Sequence, residues 1–220
     1  MNSIVREVLA QPQAYLLVQE IQTVLHNEHS KRQHFYEIID ENTKMEFING
    51  EIVYHSPVMK RHNMVTKRLL HLMDLYVLRH KLGFVGVEKI LISLTRNDYE
   101  PDICFFNIEK SRSFSPHQAR FPSPNLAVEI LSDSTEERDR TTKFVDYAAH
   151  GVEEYWIIDA DEEFVEQYRI EPESQRYTLV MKSKNGMLES SAIQGFSIPV
   201  AALFDDDSAM LAVRRLLDEG

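Results

Sequence analysis

With 220 residues, 43% of them hydrophobic and 27% charged, the chain has apolar material for one domain, or one domain with extensions. No run approaches the ~20 apolar residues of a membrane span, and Met1–Ala10 lacks the long apolar stretch of a secretory signal. Cys104 is the single cysteine, which excludes an intrachain disulfide and a thiolate metal cluster, and together these features point to the cytoplasm. The net charge of −11 argues against tight non-specific binding of nucleic acid, but it is unevenly spread. Val152–Gly220 holds 15 acids against 6 bases, whereas Lys60–Lys81 holds 6 bases against Asp74 alone, together with His62, His71 and His80. Lys110–Arg120 adds three bases and no acid. These basic stretches read either as solvated faces or as backbone-contacting surfaces.

Residues 1–30 form a predicted helical extension. Val5, Leu9, Leu16, Leu17, Ile21 and Leu25 recur at roughly helical spacing, with Pro12 interrupting. Lys44–Tyr54 contains two β-prone runs around Asn49-Gly50, a strong hairpin signal, and Pro57 closes the unit. Residues 61–82 predict a long helix, with Met64, Val65, Leu69, Leu72, Met73 and Tyr76 on one face and Gly83 as its stop. Two β-rich runs, Phe84–Leu94 and Tyr99–Ile108, flank a turn at Arg96-Asn97-Asp98. The Ser/Pro-rich stretch Glu109–Pro124 reads as a long loop, functional or mobile. Leu126–Leu131 is an apolar run with one acid inside it, the pattern of a buried central strand. Ser132–Thr135 offers N-caps for a helix reaching about His150, with Gly151 as its stop. Strands follow at Glu154–Asp159, Phe164–Ile170 and Tyr177–Met181, and a short helix at about Ser208–Leu217. There are no internal repeats and no low-complexity tracts. This order predicts a mixed α/β (α+β) fold, a mixed sheet with helices on its faces, and a βαβ crossover from Ala127–Leu131 to Tyr155–Asp159.

The chemistry concentrates in acids placed on strands. Asp102 follows Pro101 at the start of one strand, and Glu129 sits inside the apolar strand Leu126–Leu131. A carboxylate there is costly unless it is paired, hydrogen-bonded or bound to a cation. On adjacent strands the two acids can share a hard divalent ion, since Mg²⁺ is commonly held by one or two carboxylates plus waters and phosphate. The alternatives are a buried ion pair for Glu129 and a strand-end turn role for Asp102. Lys143, in the following helix, borders the apolar side formed by Phe144, Tyr147 and Ala148. It can lean towards the acids, or form an i,i+4 pair with Asp139.

These segments resemble the Uma-two family of restriction-endonuclease-like proteins in the PD-(D/E)XK nuclease superfamily. The resemblance runs from about Phe35 to Phe204. It rests on Met45-Glu-Phe-Ile-Asn-Gly-Glu51, Ser56-Pro57 followed by His62, Pro101-Asp102, Leu126-Ala-Val-Glu-Ile-Leu-Ser132, Asp139 to Lys143, and Tyr147 through Gly151–Asp159. It implies a restriction-endonuclease-like mixed sheet flanked by helices, over residues 31–205, with segments 1–30 and 206–220 as helical additions. It also implies roles: Asp102 and Glu129 as metal-binding acids for Mg²⁺ or Mn²⁺, and Lys143 as the assisting lysine, carried on the helix because Leu131 occupies its usual position. Glu46 matches the family's upstream acid, otherwise a hairpin-face acid. His62 matches a histidine near the phosphate, otherwise a helix-end residue. Two residues depart from the family pattern: Asn49 stands for the usual Asp, and Asp133 for the usual Pro, which adds negative charge beside the site.

The implied function is metal-dependent hydrolysis of DNA phosphodiesters, with DNA as partner, no membrane, and a homodimer as an open possibility. The competing reading is a nuclease-fold interaction module without turnover, favoured by the acidity and by Asp133. A glycosidase is disfavoured, because Trp156 is the only tryptophan and the lysine and basic stretches would have no task.

Overall fold

The computed structural model describes residues 3–40 and 42–218. The outermost residues of the two expected terminal segments, Met1, Asn2, Glu219 and Gly220, lie outside the described residues. In chain order the elements are α1 (Ser3–Leu9), α2 (Ala14–Ile38), β1 (Met45–Ile48), β2 (Glu51–Tyr54), α3 (Lys60–His80), β3 (Gly83–Val87), β4 (Leu91–Ser93), β5 (Asp98–Tyr99), β6 (Ile103–Asn107) and α4 (Ile108–Ser111). There follow β7 (Arg120–Phe121), β8 (Leu126–Ile130), α5 (Glu136–Arg140), α6 (Thr142–Ala149), β9 (Glu154–Asp159), β10 (Phe164–Glu171), β11 (Arg176–Ser183), β12 (Met187–Glu189), β13 (Ser197–Pro199), a 3₁₀ turn (Val200–Leu203) and α7 (Asp206–Asp218). The chain divides into two compact units, one of residues 1–55 and 95–99, the other of 56–94 and 100–220.

In the first unit the expected hairpin forms. β1 and β2 pair antiparallel around Asn49 and Gly50, both at positive φ (51° and 82°), which these residue types tolerate. β5 adds to β1 through Phe47 and Asp98. The stretch expected as a plain turn therefore contributes a strand residue. Asp98 is fully buried because Arg32 Nε donates to it at 2.6 Å and Tyr36 Oη at 2.9 Å. Helix α2 runs to Ile38, well beyond the expected end of the extension, and Phe35 packs on Phe47 at 5.8 Å between ring centroids.

The second unit is built on a six-stranded mixed sheet in the order β11-β10-β9-β8-β6-β3. β8 and β9 run parallel, and the other neighbours pair antiparallel. Alternation along β8 decides what each face carries. Leu126, Val128 and Ile130 join the core with Val65, Leu69, Leu72, Met73 and Val77 of α3. Glu129 is thereby left on the face covered by α6. Four local expectations change. Helix α3 ends at Lys81, whose φ of 54° closes it, while Gly83 opens β3 and is required because a Cβ there would stand 2.0 Å from the Phe106 carbonyl oxygen. The run Phe84–Leu94 is two strands, broken at Glu88 with φ 53°. The predicted helix after Thr135 is two, α5 and α6, broken at Thr141 (φ −123°, ψ −80°), and Thr135 makes no side-chain cap. The expected loop 109–124 carries α4 and β7, and Phe114 inserts edge-on among Phe84, Phe106 and Phe121 at 5.0–6.3 Å.

Candidate active site and metal centre

Strand register sets the site. β6 and β8 pair antiparallel with Ile103 opposite Val128. One step further along that register Asp102 stands opposite Glu129, so the two carboxylates start from neighbouring strands on the same face. Asp102 is only 4% exposed and Glu129 3%. The Asp102 carboxylate is fixed twice: the Ile130 N–H donates to Oδ2 at 2.8 Å, and His62 Nε2, from the first turn of α3, stands 3.1 Å from the same oxygen. Thr66, one turn on, hydrogen-bonds the His62 carbonyl at 2.9 Å.

Helix α6 supplies the cation. Lys143 is 1% exposed, and its Nζ lies 3.0 Å from Glu129 Oε1 and 3.1 Å from Asp139 Oδ1. The two readings of Lys143, leaning to the acids or pairing with Asp139, are therefore both realised, and the pair is buried. Asp139, itself 1% exposed, is a third acid of the cluster that spacing alone reads as half of a surface pair. Tyr147, read as part of an apolar helix face, donates its hydroxyl to Glu129 Oε1 at 3.3 Å. Its signal in sequence was its place one helical turn after Lys143, on the same side. Tyr155 Oη donates to the Asp139 carbonyl at 3.0 Å and ties α5 to the sheet.

The second unit thus holds two contacts, His62 with Asp102 and Lys143 with Glu129 and Asp139, which the β6–β8 register sets on neighbouring strands. Glu46 belongs to the first unit, where it is fully buried with His55 Nε2 at 3.0 Å from its carboxylate. Among the described residues no three His, Cys, Asp or Glu side chains form a ready-made metal cage. The donor set is instead two adjacent carboxylates, which suits a hard divalent ion that keeps part of its water shell. Three buried carboxylates and one buried lysine belong to this set, with His62 beside Asp102. Cys104, opposite Ala127 in the same strand pair, is buried, and burial pushes its thiol far above the ordinary range.

A cavity of about 210 Å³ opens beside His62, lined among others by Ser56, Pro57, Arg61, Ser132 and Asp133. Arg61 is paired there with Asp161. Other bases of the basic stretches are also engaged. Arg68 binds Asp206 at 2.6 Å, Arg79 donates to the Leu217 carbonyl at 2.6 Å, and Lys110 donates to the Ser123 carbonyl at 2.9 Å, with burial lowering its pKa. Much of the positive charge that sequence offered for nucleic acid thus secures the chain's own helix and loops.

The helix-flanked mixed sheet is a restriction-endonuclease-like fold. The chain belongs to the Uma2 family, described as "Putative restriction endonuclease", whose profile matches residues 32–201. It is similar to a crystallised "putative nuclease belonging to DUF820" from Anabaena variabilis, with a TM-score of 0.67, 18% identity, and coverage of 80% of this chain and 96% of that one. It is also 27% identical over 150 residues to an uncharacterized protein of Synechocystis sp., covering 67% of this chain and 84% of that protein. Among the described residues no helix is long and apolar enough to cross a membrane.

Proposed function

We propose that the second unit is a Mg²⁺- or Mn²⁺-dependent nuclease that hydrolyses DNA phosphodiesters, with Asp102 and Glu129 as metal ligands and Lys143 and His62 as assisting groups. The observation that carries this reading is the strand register that sets the buried Asp102 opposite the buried Glu129, with Lys143 3.0 Å from Glu129. Carboxylates so buried need hydrogen-bonding or cationic partners, and a divalent ion is one such partner. When bound, the ion supplies an acidified water and a counter-charge for the phosphoryl oxygens.

The chain's own groups then divide the work. The Ile130 N–H and His62 hold the Asp102 carboxylate in one orientation. Lys143, pinned between Glu129 and Asp139, stands beside the acids, where its ammonium stabilises negative charge developing on phosphate. Tyr147 limits the rotation of Glu129. Ser132, in the neighbouring cavity wall, would contact the nucleic-acid backbone, with Arg61 joining it on release from Asp161.

The test is nicking of supercoiled DNA by the purified chain with Mg²⁺ or Mn²⁺. Glu129→Gln should lower the rate by at least about 10²-fold with the far-UV spectrum unchanged. Cleavage that survives this change overturns the assignment. One observation favours a second reading, an interaction module without turnover: Asp133 and Asp161 both line the cavity and oppose an approaching phosphate. Calorimetry separates the two. Binding of Mn²⁺ that Asp102→Asn abolishes supports the nuclease, and no binding at millimolar concentration supports the module.

A further inference from the structure

Beyond the paired acids, the molecule has the cavity beside His62, the buried Glu154 cluster, the exposed Leu179 and Val180 of β11, and the exposed N-terminal helices. The cavity belongs to the site already described. The Glu154 carboxylate is saturated by Trp156, Gln167, Ser190 and the Ser191 and Ala192 amides, so it has no capacity for a ligand. The N-terminal helices, by contrast, expose a long apolar surface.

Helix α2 has a seam spaced four and three residues apart: Ala14, Val18, Ile21, Leu25, Glu28, Arg32 and Phe35. Its second half is occupied. Glu28 takes Arg96 at 2.5 Å, Arg32 takes Asp98 at 2.6 Å, and Phe35 is fully buried against Phe47. Its first half is bare, with Val18 38%, Ile21 50% and Leu25 48% exposed. Nine large apolar side chains between Ile4 and Leu25 are 38–73% exposed. This half also precedes residue 32, where the match to the Uma2 family begins, so the family's own domain does not account for it.

Charge narrows the choice of occupant. Between Glu7 and Glu28 the only ionised side chain is Glu20, in a chain that is 27% charged overall. With no Lys or Arg, that face lacks what an anionic lipid surface or a nucleic acid would hold. An uncharged apolar seam is complementary to itself. Val18, Ile21 and Leu25 with the flanking Tyr15 and Val24 present on the order of 500 Å² per copy, so pairing two copies removes on the order of 1,000 Å² at most, the size of a weak interface.

We propose that the first half of α2 pairs antiparallel with the same segment of a second copy and makes the protein a homodimer. The register follows from the occupied half. Placing Val18 against the partner's Ile21 and Ala14 against the partner's Leu25 uses the whole bare seam. Glu28, where the chain's own hairpin takes over, then falls beyond the start of the partner helix at Ala14. A parallel pair would instead set the two occupied halves against each other. The pairing is independent of the nuclease reading.

The experiment is sedimentation equilibrium of the full chain at tens of micromolar. The wild type should show twice the 25.7 kDa chain mass. The double substitution Ile21→Glu/Leu25→Glu, at exposed positions, should give the single-chain mass with the helix content kept. Leu16→Glu, on the other side of the helix, should leave the dimer intact. A wild type that sediments as a monomer overturns the proposal, whether or not it pellets with neutral or anionic lipid vesicles. A dimer that survives the double substitution also overturns it. For the register, a Val18→Cys chain mixed with an Ile21→Cys chain should cross-link on oxidation. Cross-linking of Val18→Cys to itself instead overturns the antiparallel arrangement.

Discussion

Replacing Lys143 by Met tests whether the centre is a buried charge cluster or a surface ion pair. The change keeps most of the side chain's volume and removes only its charge. Lys143 is 1% exposed and stands 3.0 Å from Glu129 and 3.1 Å from Asp139, so its loss takes from two buried carboxylates the cation they share. Breaking a buried pair in this way costs about 3–5 kcal/mol. In a chain of this size each kcal/mol lowers Tm by about 2–4 °C, so a fall of at least about 6 °C is expected. An exposed i,i+4 pair would contribute no more than about 0.5 kcal/mol. Urea unfolding followed by Trp156 fluorescence reads the difference directly, because Trp156 is the only tryptophan and is fully buried on β9, beside the Glu129 strand. Adding Glu129→Gln to Lys143→Met removes one of the stranded charges and should recover at least about 1 kcal/mol. A loss below about 1 kcal/mol for Lys143→Met, or no recovery in the double variant, refutes the reasoning.

Two further predictions concern the scaffold. Gly83→Ala should cost about 2–3 kcal/mol in urea unfolding, since its Cβ would meet the Phe106 carbonyl oxygen at 2.0 Å and φ is 152°. Glu166 should shape the acid limb of stability. Burial raises its pKa, but hydrogen bonds from Lys182 at 2.7 Å, Arg140 at 2.5 Å and Tyr168 at 2.9 Å outweigh this and hold it below the ordinary 4.5. A depressed carboxyl stabilises fully above its unfolded value, and that contribution is lost as pH falls from near 4.5 through the folded value. Glu166→Gln should therefore flatten the pH dependence of Tm below about pH 5, and an unchanged acid limb counts against the assignment.

The elements most legible in sequence were those in which one signal sufficed. Asn49-Gly50 tolerates two positive φ angles, and the hairpin follows. Apolar residues three and four apart gave α3. A compact apolar run around a lone acid gave β8 and isolated Glu129. What escaped were features set by long-range contact. Gly83 looks like a helix stop until the close approach of the β6 backbone is known. The stretch 109–124 reads as a polar loop because Phe114 contributes only when Phe84, Phe106 and Phe121 are brought around it. Arg68 and Arg79 read as surface charge because their partners, Asp206 and the Leu217 carbonyl, lie nearly 140 positions away.

The cluster shows the same division at closer range. Glu129 announces itself, since a carboxylate in an apolar strand needs a partner. Lys143 and Asp139 do not, because an i,i+4 pair is compatible with a helix lying anywhere on the surface. The break at Thr141 separates the two residues into different helices, yet their charges still meet at 3.1 Å. Tyr155, bonded to the Asp139 carbonyl from the sheet, fixes α5, while Tyr147 and Lys143 fix α6 onto Glu129. Each helix is thus tied to the sheet by its own hydrogen bonds, and the lysine spans the junction. A substitution that alters the Thr141 break therefore acts on the distance between Lys143 and the acids before it acts on either helix, and the centre depends on that break as much as on the charged residues it brings together.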